Sequence, residues 1–412
     1  MASPEITLEA VPSVTDIPAA EWDACANPAG DPNSLEHLDT LAAGGAQGEP
    51  CKPAYNPFVS HAFFAAAEAS GSACARTGWG GRHLVARLDG KIAGIVPCYL
   101  KSHSQGEYVF DRGWADAYER AGGRYYPKLQ ASVPFTPATG PRLLIRDGVD
   151  REQIGTALAS GLMALCNATN ASSVHVTFAR EAEAKFLGAH GFLQRNDQQF
   201  HWHNAGYASF DDFLTSLNSR HRKAIKRERR EALSAGITIH HLTGADLTEE
   251  AWDAFFAFYM ETGSRKWGRP YLTRKFFSLI GESMSRDVLL VMAKRNGRWI
   301  AGAINFIGSD TLFGRNWGAV EHHPFLHFEV CYYQAIDFAI QRGLKIVEAG
   351  AQGEHKLARG YLPQTTYSAH FIADPDLRRA IADYLKRERA YVAEVGRELA
   401  ESGPFRKAAD EA

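Results

Sequence analysis

The sequence predicts a mixed α/β chain in which one folding unit is used twice and a C-terminal helix follows. Two hairpin patterns have the same order of strand, turn and strand: HLVARLDGKIAGIVPCYLKS from His83 and LLVMAKRNGRWIAGAINFIGS from Leu289. A Phe-rich helical stretch precedes each hairpin, and an aromatic strand follows it. Because elements that recur in a fixed order indicate a duplicated fold, and 412 residues exceed one ordinary hydrophobic core, two domains are expected.

The elements of each half can be assigned in order. The pairs Asp89-Gly90 and Asn296-Gly297 are typical of tight hairpin turns, so a strand is expected on either side of each pair. Apolar residues at helical spacing in DREQIGTALASGLMALCNAT and FEVCYYQAIDFAIQRG predict a helix before the strands SSVHVTF and LKIVEAG. The halves close with KFLGAHGFLQRNDQQFHWHNA and KLARGYLPQTTYSAHFIADP, which we expect to form terminal hairpins.

The repeat sets the expected domain boundaries. Residues 56–207 are expected to form the first domain and residues 208–375 the second. Residues 1–55 are an N-terminal strand and loop extension, in which the Gly-, Pro- and Ala-rich stretch 26–53 is typical of a loop. Residues 376–412 predict a charged C-terminal helix with a frayed tail.

Composition and charge limit the class of protein. The apolar share is 45% and the aromatic share is 11%, which is enough core material for a folded globular protein. No run approaches the roughly 20 apolar residues that a membrane helix needs, and the start MASPEITLEAVPSV lacks the pattern of a signal peptide, so a cytoplasmic location is expected. The six cysteines form no CxxC pair, so we expect buried free thiols and no metal site.

The order of elements, with the turns DGKIAGIVPCYL and NGRWIAGAINFI, resembles the GNAT acyltransferase fold, and its tandem use resembles the FemAB-like branch. The basic helix LNSRHRKAIKRERREALSAGITI is similar to the helix that opens the second domain of that family, and EAGAQGEHKLARGYLP is similar to its glycine turn and lysine-bearing segment. YYPKL, VPFTP, GPRLL and CYYQAI are similar to stretches of predicted bacterial N-acyltransferases. The resemblance, which covers roughly residues 56–376, implies transfer of an acyl or aminoacyl group to an amine.

The donor implied by this resemblance stays open between acyl-CoA, aminoacyl-tRNA and a carrier-bound acyl group. GNAT enzymes cradle the pyrophosphate of coenzyme A in a [QR]-x-x-G-x-[GA] loop at a helix N-terminus. Neither half has that loop in the expected place, where GAVEHHPFLHFEV and RYYPKLQASVPFTPATGPRLL stand instead. The family lysine is also open: aligning the Gly-aromatic pair puts Ala358 at its position, with Lys356 and Arg359 nearby.

The basic helix from Leu217 to Ile237 has two explanations. Its charges cannot all lie on one side at 3.6 residues per turn, and Leu217, Ala224 and Ile225 mark the inward side. A solvated helix face is one explanation of such a charge run. The other is docking of a phosphate-bearing donor, with tRNA among the candidates. The residues selected for donor docking are Arg222, Lys226 and Arg229.

Acyl transfer to an amine needs an unprotonated nucleophile, stabilisation of an oxyanion and a proton for the leaving group. In the fold that the sequence resembles, these functions gather where the two middle strands splay, at the ends of FGRNWGAV and KIVEAGAQGEHK. Glu348 is the candidate general base, and pairing with a nearby arginine is its alternative role. Tyr333, next to Tyr332, is a candidate acid, with core packing as the alternative. The loop GEHKLARG adds further candidates: Glu354, His355, Lys356 and Arg359.

Polar and aromatic residues in both halves are candidates for substrate binding. The second half contributes Glu329, at the head of a helix, and Arg315 and Asn316, which interrupt an aromatic strand. The first half contributes WADAYERAGGRYYPKL, a glycine-broken stretch that we expect to be a loop and to bind a small-molecule or peptide amine. Its selected residues are Trp114, Asp116, Tyr118, Tyr125, Tyr126 and Lys128.

Two classes of function follow from these patterns. One is an N-acyltransferase whose active cleft lies in the second half and which needs no metal. The other is a non-catalytic binding or scaffold protein that docks RNA or an acidic partner through the basic helix. For the enzyme, replacing Lys356 or Arg359 by alanine is expected to remove most activity with little loss of stability. Reversing the charges of Arg222, Lys226 and Arg229 is expected to leave the fold intact.

Overall fold

The computed structural model describes residues 5–28, 55–267, 270–350 and 353–406. Its strands, in chain order, are β1 (Ile6–Val11), β2 (Trp79–Gly81), β3 (His83–Leu88), β4 (Lys91–Val96), β5 (Cys98–Lys101), β6 (Lys128–Ala131), β7 (Leu144–Ile145), β8 (Ser173–Ala179), β9 (Leu193–His203), β10 (Thr238–Leu242), β11 (Val288–Arg295), β12 (Arg298–Ile307), β13 (Thr311–Ala319), β14 (Ile346–Glu348) and β15 (Leu362–Ile372).

The helices are α1 (Ala19–Ala26), α2 (His61–Ala69), α3 (Arg112–Arg120), α4 (Arg151–Ala168), α5 (Glu181–Ala189), α6 (Phe210–Ser216), α7 (Ser219–Leu233), α8 (Glu249–Trp267), α9 (Arg274–Ser283), α10 (Leu326–Phe328), α11 (Gln334–Arg342) and α12 (Pro375–Glu401). A π-helical turn, Glu329–Tyr333, joins α10 to α11. A short 3-10 helix, Glu354–Arg359, follows β14.

The chain divides into two compact units, so the predicted tandem arrangement of mixed α/β units is confirmed. The first unit consists of Met1–Asp197 and Thr366–Val392. The second unit consists of Gln198–Thr365 and Ala393–Ala412. The expected boundary between residues 207 and 208 therefore lies inside the second unit, and the first unit also takes up a segment near the end of the chain.

The sheet of the second unit follows the order β10-β11-β12-β13-β14-β9. The pairs β10–β11, β11–β12 and β12–β13 are antiparallel, β13 and β14 are parallel, and β14 is antiparallel to the end of β9. Parallel neighbours need a crossover connection, which here contains α10, the π-helical turn and α11. The ends of β13 and β14 are thereby placed at the same edge of the sheet.

The first unit has the same succession of strands, divided between two sheets. One sheet has the order β1-β3-β4-β7, and the other runs from β2 through β5, β6 and β8 to β15. β6 and β8 are parallel, as β13 and β14 are in the second unit. Pro97 stands between β4 and β5 and has no backbone N–H to donate to a ladder. The second strand of the hairpin is therefore interrupted, and its two parts join different sheets.

The expected terminal hairpins are not formed, and this prediction was wrong. After α5 the chain forms the single eleven-residue strand β9, and after the 3-10 helix it forms the single eleven-residue strand β15. The dipeptide Asn196-Asp197 within β9 lacks the glycine that favours a two-residue hairpin turn. Residues 201–203 of β9 pair with β14, and residues 367–372 of β15 pair with β8. The last strand of each unit thus comes from the other half of the sequence.

Each unit has its own hydrophobic core. In the first unit, α4 packs Ile154, Leu158 and Leu162 with buried side chains of β3, β6 and β8. In the second unit, the core lies between the sheet and the helices α6 and α11. On the other side of β13, α8 packs so close that a Cβ atom at Gly318 would lie 2.0 Å from the backbone oxygen of Phe258. This contact holds the strand that carries Arg315.

Near the two ends of the chain, the structure confirms one of the predicted elements and does not describe the other in full. The predicted charged C-terminal helix is α12, which buries Leu377, Ile381 and Leu385. The stretch 29–53 of the expected N-terminal loop, with Cys51, lies outside the described residues, as does the tail from residue 407. The cysteines at positions 25, 74, 98, 166 and 331 are free thiols, three of them buried. Among the described helices, none has the length and apolar character required to cross a membrane.

Candidate active site

Polar side chains of the second unit gather where β13 and β14 part. The parallel ladder between these strands ends at the pair Phe313–Glu348, after which β13 continues to Ala319 and the other chain leaves the sheet. Arg315 Nη2 lies 3.8 Å from Glu348 Oε2, and both side chains are almost completely buried. The structure therefore brings together two of the residues that the sequence singled out.

A β-bulge shapes this part of β13. Ala303 pairs with Trp317 and Asn305 pairs with Gly314, so Arg315 and Asn316 together face a single residue of β12. A bulge bends its strand and redirects side chains, and bulges are frequent beside active sites. The guanidinium of Arg315 also donates from Nη1 to the backbone oxygen of Gly314 at 2.7 Å. Asn316 is half-buried on the same bulge.

His201 lies on the other side of Glu348, as its paired residue on β9. It is buried, and its Nε2 lies 3.1 Å from Oε1 of Gln199. Burial, together with the nearby positive groups His203, Arg315 and Lys356, lowers the pKa of His201 to about 3. His201 is therefore neutral at physiological pH, when it presents one donor and one acceptor nitrogen.

Lys356 completes this group, which we call the polar cluster: Arg315, Glu348, His201 and Lys356. Lys356 lies on the 3-10 helix after β14, is only 2% exposed, and donates from Nζ to the backbone oxygen of Gly350 at 3.1 Å. Burial lowers the pKa of Lys356 to about 8, with Arg315 acting in the same direction. A cationic group that is this close to losing its proton is characteristic of functional sites. The side chain of Glu354, predicted to act nearby, lies outside the described residues.

Tyr332 and His355 form a hydrogen-bonded pair next to the polar cluster. The phenol oxygen of Tyr332 lies 2.9 Å from Nε2 of His355, and Tyr332 is buried whereas His355 is exposed. Burial raises the pKa of Tyr332 above its usual value, so the phenol keeps its proton at neutral pH. Tyr332 is carried by the π-helical turn, a feature often found at functional sites. Through this hydrogen bond, the buried phenol of Tyr332 is linked to an imidazole that is exposed to solvent.

His355 also belongs to a group of accessible aromatic rings, which we call the aromatic rim: Trp317, His327, Phe328 and His355. The ring centroids of Trp317 and His327 are 5.2 Å apart, and those of Phe328 and His355 are 5.8 Å apart. Rings at such distances attract one another, and His327 also lies 5.5 Å from Phe328, so the four rings are contiguous. The rim offers an aromatic contact area beside the polar cluster.

Tyr333 and Arg359, both predicted to be catalytic, are engaged in an internal network. Tyr333 donates its phenol proton to Glu228 on α7, and Arg359 Nη2 donates to both oxygens of the same carboxylate at 3.0 and 2.9 Å. The guanidinium of Arg359 also lies 3.4 Å from the centroid of Phe328. Because Arg359 holds a buried carboxylate, its removal is expected to lower stability, which corrects the expectation drawn from the sequence.

Glu329, predicted to bind substrate, is fully buried in a second network. Arg229 of α7 donates from Nε and Nη2 to the Glu329 carboxylate at 3.0–3.2 Å, and Gln334 donates to it at 2.6 Å. Arg229 also lies over the ring of Phe210 at 4.3 Å. Reversing the charge of Arg229 would bring two carboxylates together in this buried position. The expectation that this reversal leaves the fold intact is therefore corrected.

The outward side of α7 is strongly basic. Lys226 lies 3.0 Å from Asp211, and Arg222 is half-buried and donates to the backbone oxygen of Leu217 at 3.3 Å. The exposed positive residues share one side of the helix, and we call them the basic stripe: Arg220, Lys223, Lys226, Arg227 and Arg230. The stripe retains exposed charge after the internal pairs are formed, so it can attract phosphate groups.

The residues predicted in the first half as an acceptor site lie mostly inside the first unit. The stretch expected to be a loop begins with the nine-residue helix α3. Trp114, Tyr125 and Lys128 are buried, Tyr118 and Tyr126 are half-buried, and Asp116 is exposed.

These buried side chains belong to one charged network. Lys128 Nζ donates to Glu107 at 2.6 Å and to Asp111, and Tyr125 donates to Asp111 at 2.7 Å. Lys128, Glu107 and Asp111 are each almost completely buried, and a second buried lysine, Lys101, lies 3.8 Å from Glu107, so two carboxylates face two lysines. Trp114 covers the network from α3, where its ring stacks with His175 at 6.1 Å.

In the first unit, the place where the parallel strands β6 and β8 separate is filled by a side chain of the protein. The ladder between β6 and β8 ends at Ala131–Val176, and Arg142 Nε then donates to the backbone oxygen of Thr177 at 2.9 Å. The same guanidinium donates to the backbone oxygens of Ala138 and Pro141. Arg142 is 1% exposed, so its own loop fills the position that corresponds to the polar cluster.

Sequence reasoning did not select His201, and it selected Tyr333 where Tyr332 makes the contact to His355. A signal for Glu228 was present: it falls at the helical spacing of the buried Ile225 and Ala232, on the apolar side of a basic helix. For His201, the sequence offered only the alternation of histidine and aromatic residues in FHWH, which is typical of many strands. The described residues hold no group of three His, Cys, Asp or Glu side chains that is suited to a metal ion.

Comparison with known proteins identifies similar chains. A model of the FemAB-like family, described as peptidoglycan biosynthesis/recognition, matches residues 13–407. A comparison with curated proteins found no match. Among solved structures, FemX is 13% identical, with a TM-score of 0.48 over 75% of this chain and 92% of FemX. A tandem GNAT protein from the clavulanic acid biosynthesis pathway is 13% identical, with a TM-score of 0.43 over 90% of this chain and 99% of that protein. The L-PGS of Bacillus licheniformis is 8% identical, with a TM-score of 0.44 over 71% of this chain and 86% of L-PGS.

Proposed function

This chain belongs to the FemAB-like family, and on that premise we propose that it transfers an acyl or aminoacyl group to an amine, with the polar cluster as its active site. The family description, peptidoglycan biosynthesis/recognition, supports an acceptor amine on a peptide of peptidoglycan type. The fold alone would not support this function, because one fold hosts many activities. The chemistry of the polar cluster supports it instead.

The observation that carries the proposal is the buried pair of Arg315 and Glu348 at the point where β13 and β14 part, with the buried Lys356 on the segment that follows β14. Glu348 can accept a proton from the attacking amine, and the ammonium of Lys356 can stabilise a developing oxyanion. Arg315 adds a second positive group that keeps its charge at any physiological pH. Low exposure strengthens each of these electrostatic interactions, because water screens them less.

The proposed reaction is an addition followed by an elimination. The amine nitrogen attacks the carbonyl carbon of the donor ester or thioester, and the carbonyl electron pair moves to oxygen, which Lys356 and Arg315 stabilise. Glu348 takes the proton that the amine loses as the new C–N bond forms. The intermediate collapses, the bond to the leaving oxygen or sulfur breaks, and Tyr332 gives that atom a proton. His355 returns a proton from solvent to Tyr332 through their hydrogen bond.

The donor is proposed to carry phosphate groups and to dock on the basic stripe of α7. Acyl-CoA, aminoacyl-tRNA and an acyl carrier protein with a phosphopantetheine arm all meet this description. The aromatic rim offers a surface for the part of the substrate that lies next to the reacting carbonyl. Because the first unit fills its own strand divergence with Arg142, a single active site in the second unit is proposed.

Direct assay of group transfer tests this proposal. The protein is incubated with an amine-bearing peptide and with labelled acetyl-CoA or charged tRNA in turn, and the acylated amine is measured by mass spectrometry. Lys356→Ala is expected to lower the rate by about 10²–10³, since it removes an oxyanion donor. Donor binding without any transfer in the wild-type protein would favour the non-catalytic alternative, in which the basic stripe docks RNA or another acidic partner.

A further inference from the structure

Glu228 is an acidic residue on the inward side of the basic helix α7. It is 8% exposed, and the other buried residues of this helix are Ile225 and Ala232. An ionised carboxylate is costly to bury unless it is paired and hydrogen-bonded. Its presence at an apolar helical position therefore points to a specific partner.

The Glu228 carboxylate joins three separate elements. It accepts two hydrogen bonds from Arg359 of the 3-10 helix and one from Tyr333 of the π-helical turn. Arg359 lies 131 positions from Glu228 in the sequence, and Tyr333 lies 105 positions away. One side chain of α7 thus connects the two segments that carry Lys356 and Tyr332.

Lys356 and its neighbours are held by hydrogen bonds within the same segment. Its own side chain donates to Gly350 O, an acceptor on the loop that leads into the same segment. Arg359 Nη1 donates to the backbone oxygen of His355 at 2.6 Å, so the arginine bound to Glu228 also holds the residue before Lys356. The backbone N–H of Lys356 bonds to Gly353, and its carbonyl accepts from Tyr361.

We infer that Glu228 is a positioning residue, which holds the 3-10 helix so that Lys356 stays in the polar cluster. The catalytic role of Lys356 in this inference rests on the proposed function. The role of Glu228 in holding the 3-10 helix rests only on the contacts described above. A displacement of about 1 Å in a catalytic group can lower a rate 10²-fold, so a residue outside the reacting atoms can control turnover.

The experiment uses Glu228→Gln, which keeps the shape of the side chain and removes its charge. Hydrogen exchange is followed at the amides of Lys356, Gly360 and Tyr361, which are bonded within the segment or at its end. We expect exchange at these amides to become about tenfold faster, while amides of β11 and β12 keep their rates. In the transfer assay, kcat is expected to fall at least tenfold with little change in KM.

The matched control is Glu388→Gln. Glu388 also binds an arginine bidentately, Arg195 at 2.8 and 2.9 Å, but both lie in the first unit. This variant is expected to leave exchange of the 3-10 helix and kcat unchanged. If Glu228→Gln does not fold, Tyr333→Phe removes one hydrogen bond from the same carboxylate and should speed exchange at the same amides.

The outcomes separate the positioning role from the proposed function. Faster exchange confined to the 3-10 helix supports the role of Glu228, even if the wild-type protein transfers no acyl group and the proposed function fails. Exchange in Glu228→Gln that matches Glu388→Gln overturns the inference, whether or not the protein is a transferase. A fall in kcat without faster exchange also overturns it, since the carboxylate would then act in another way.

Discussion

Replacing Lys356 by methionine is expected to make the protein more stable and nearly inactive. Burial lowers the pKa of Lys356 from its usual 10.5 to about 8. One pKa unit corresponds to about 1.4 kcal/mol, so keeping the ammonium in this site destabilises the folded state by about 3 kcal/mol at neutral pH. Methionine also loses the hydrogen bond to the backbone oxygen of Gly350, which costs about 1 kcal/mol. Methionine has a similar shape without charge, so a net gain of about 2 kcal/mol in unfolding free energy is expected.

The effect of pH on this gain has a definite sign, because the pKa of Lys356 is lower in the folded state. Below about pH 8 the ammonium is present in both the folded and the unfolded protein, and the full cost applies. Between pH 8 and pH 10.5 the folded state loses its proton first, and the cost decreases. At pH 10 about 1 kcal/mol remains by this relation. The gain of Lys356→Met should therefore be large at pH 7 and small at pH 10.

Urea unfolding at pH 7 and pH 10, together with the transfer assay, measures both effects. The control is Lys185→Met, since Lys185 is 68% exposed on α5 in the first unit and should change neither stability nor rate appreciably. Transfer by Lys356→Met is expected to fall about 10²–10³-fold. A variant that is less stable than the wild type at pH 7, or one that keeps its full rate, would refute the reasoning about this site.

Three further changes test other parts of the site. The double variant Lys223→Glu and Arg230→Glu should weaken donor binding. It should also lower the magnitude of the slope of log affinity against log salt concentration by about 1.5. An unchanged slope would speak against donor docking on the basic stripe. Arg229→Ala leaves the buried Glu329 without its arginine, so unfolding in urea should show a loss of about 3 kcal/mol, and a loss below about 1 kcal/mol would contradict this pairing. Tyr332→Phe should slow transfer from an alkyl ester about 10²-fold but hardly affect a nitrophenyl ester, whose leaving group needs no proton, and equal losses with both donors would remove Tyr332 from this role.

Features determined by neighbouring residues could be predicted from the sequence. Both hairpin turns have positive φ at their two central residues, 47° and 80° at Asp89-Gly90 and 49° and 77° at Asn296-Gly297, as this turn chemistry requires. The repeat and the C-terminal helix could also be predicted, because each depends on a pattern of residues that are close together in the sequence. The position of Glu348 at the end of a strand followed from the pattern of one strand and one glycine turn.

Features determined by distant residues could not be predicted in this way. The choice of β14 as the partner of β9 depends on contacts between segments more than 140 residues apart, which no local pattern records. The same holds for Arg359, whose charge resembled that of a catalytic residue until its partner Glu228 was located on α7. The stretch that includes most of α3 was expected to be a loop because of its glycines at 122 and 123, but both lie beyond the last residue of the helix and do not interrupt it.

The polar cluster of the second unit is proposed to catalyse group transfer to an amine. The most direct measurement is the rate at which Glu348→Gln forms the acylated amine, compared with the wild type under saturating donor and acceptor. Glutamine keeps the size of the side chain but cannot take the proton of the amine, so the rate should fall about 10²–10⁴-fold while donor affinity is retained. A Glu348→Gln variant that transfers at the wild-type rate would contradict the assignment of this cluster as the active site.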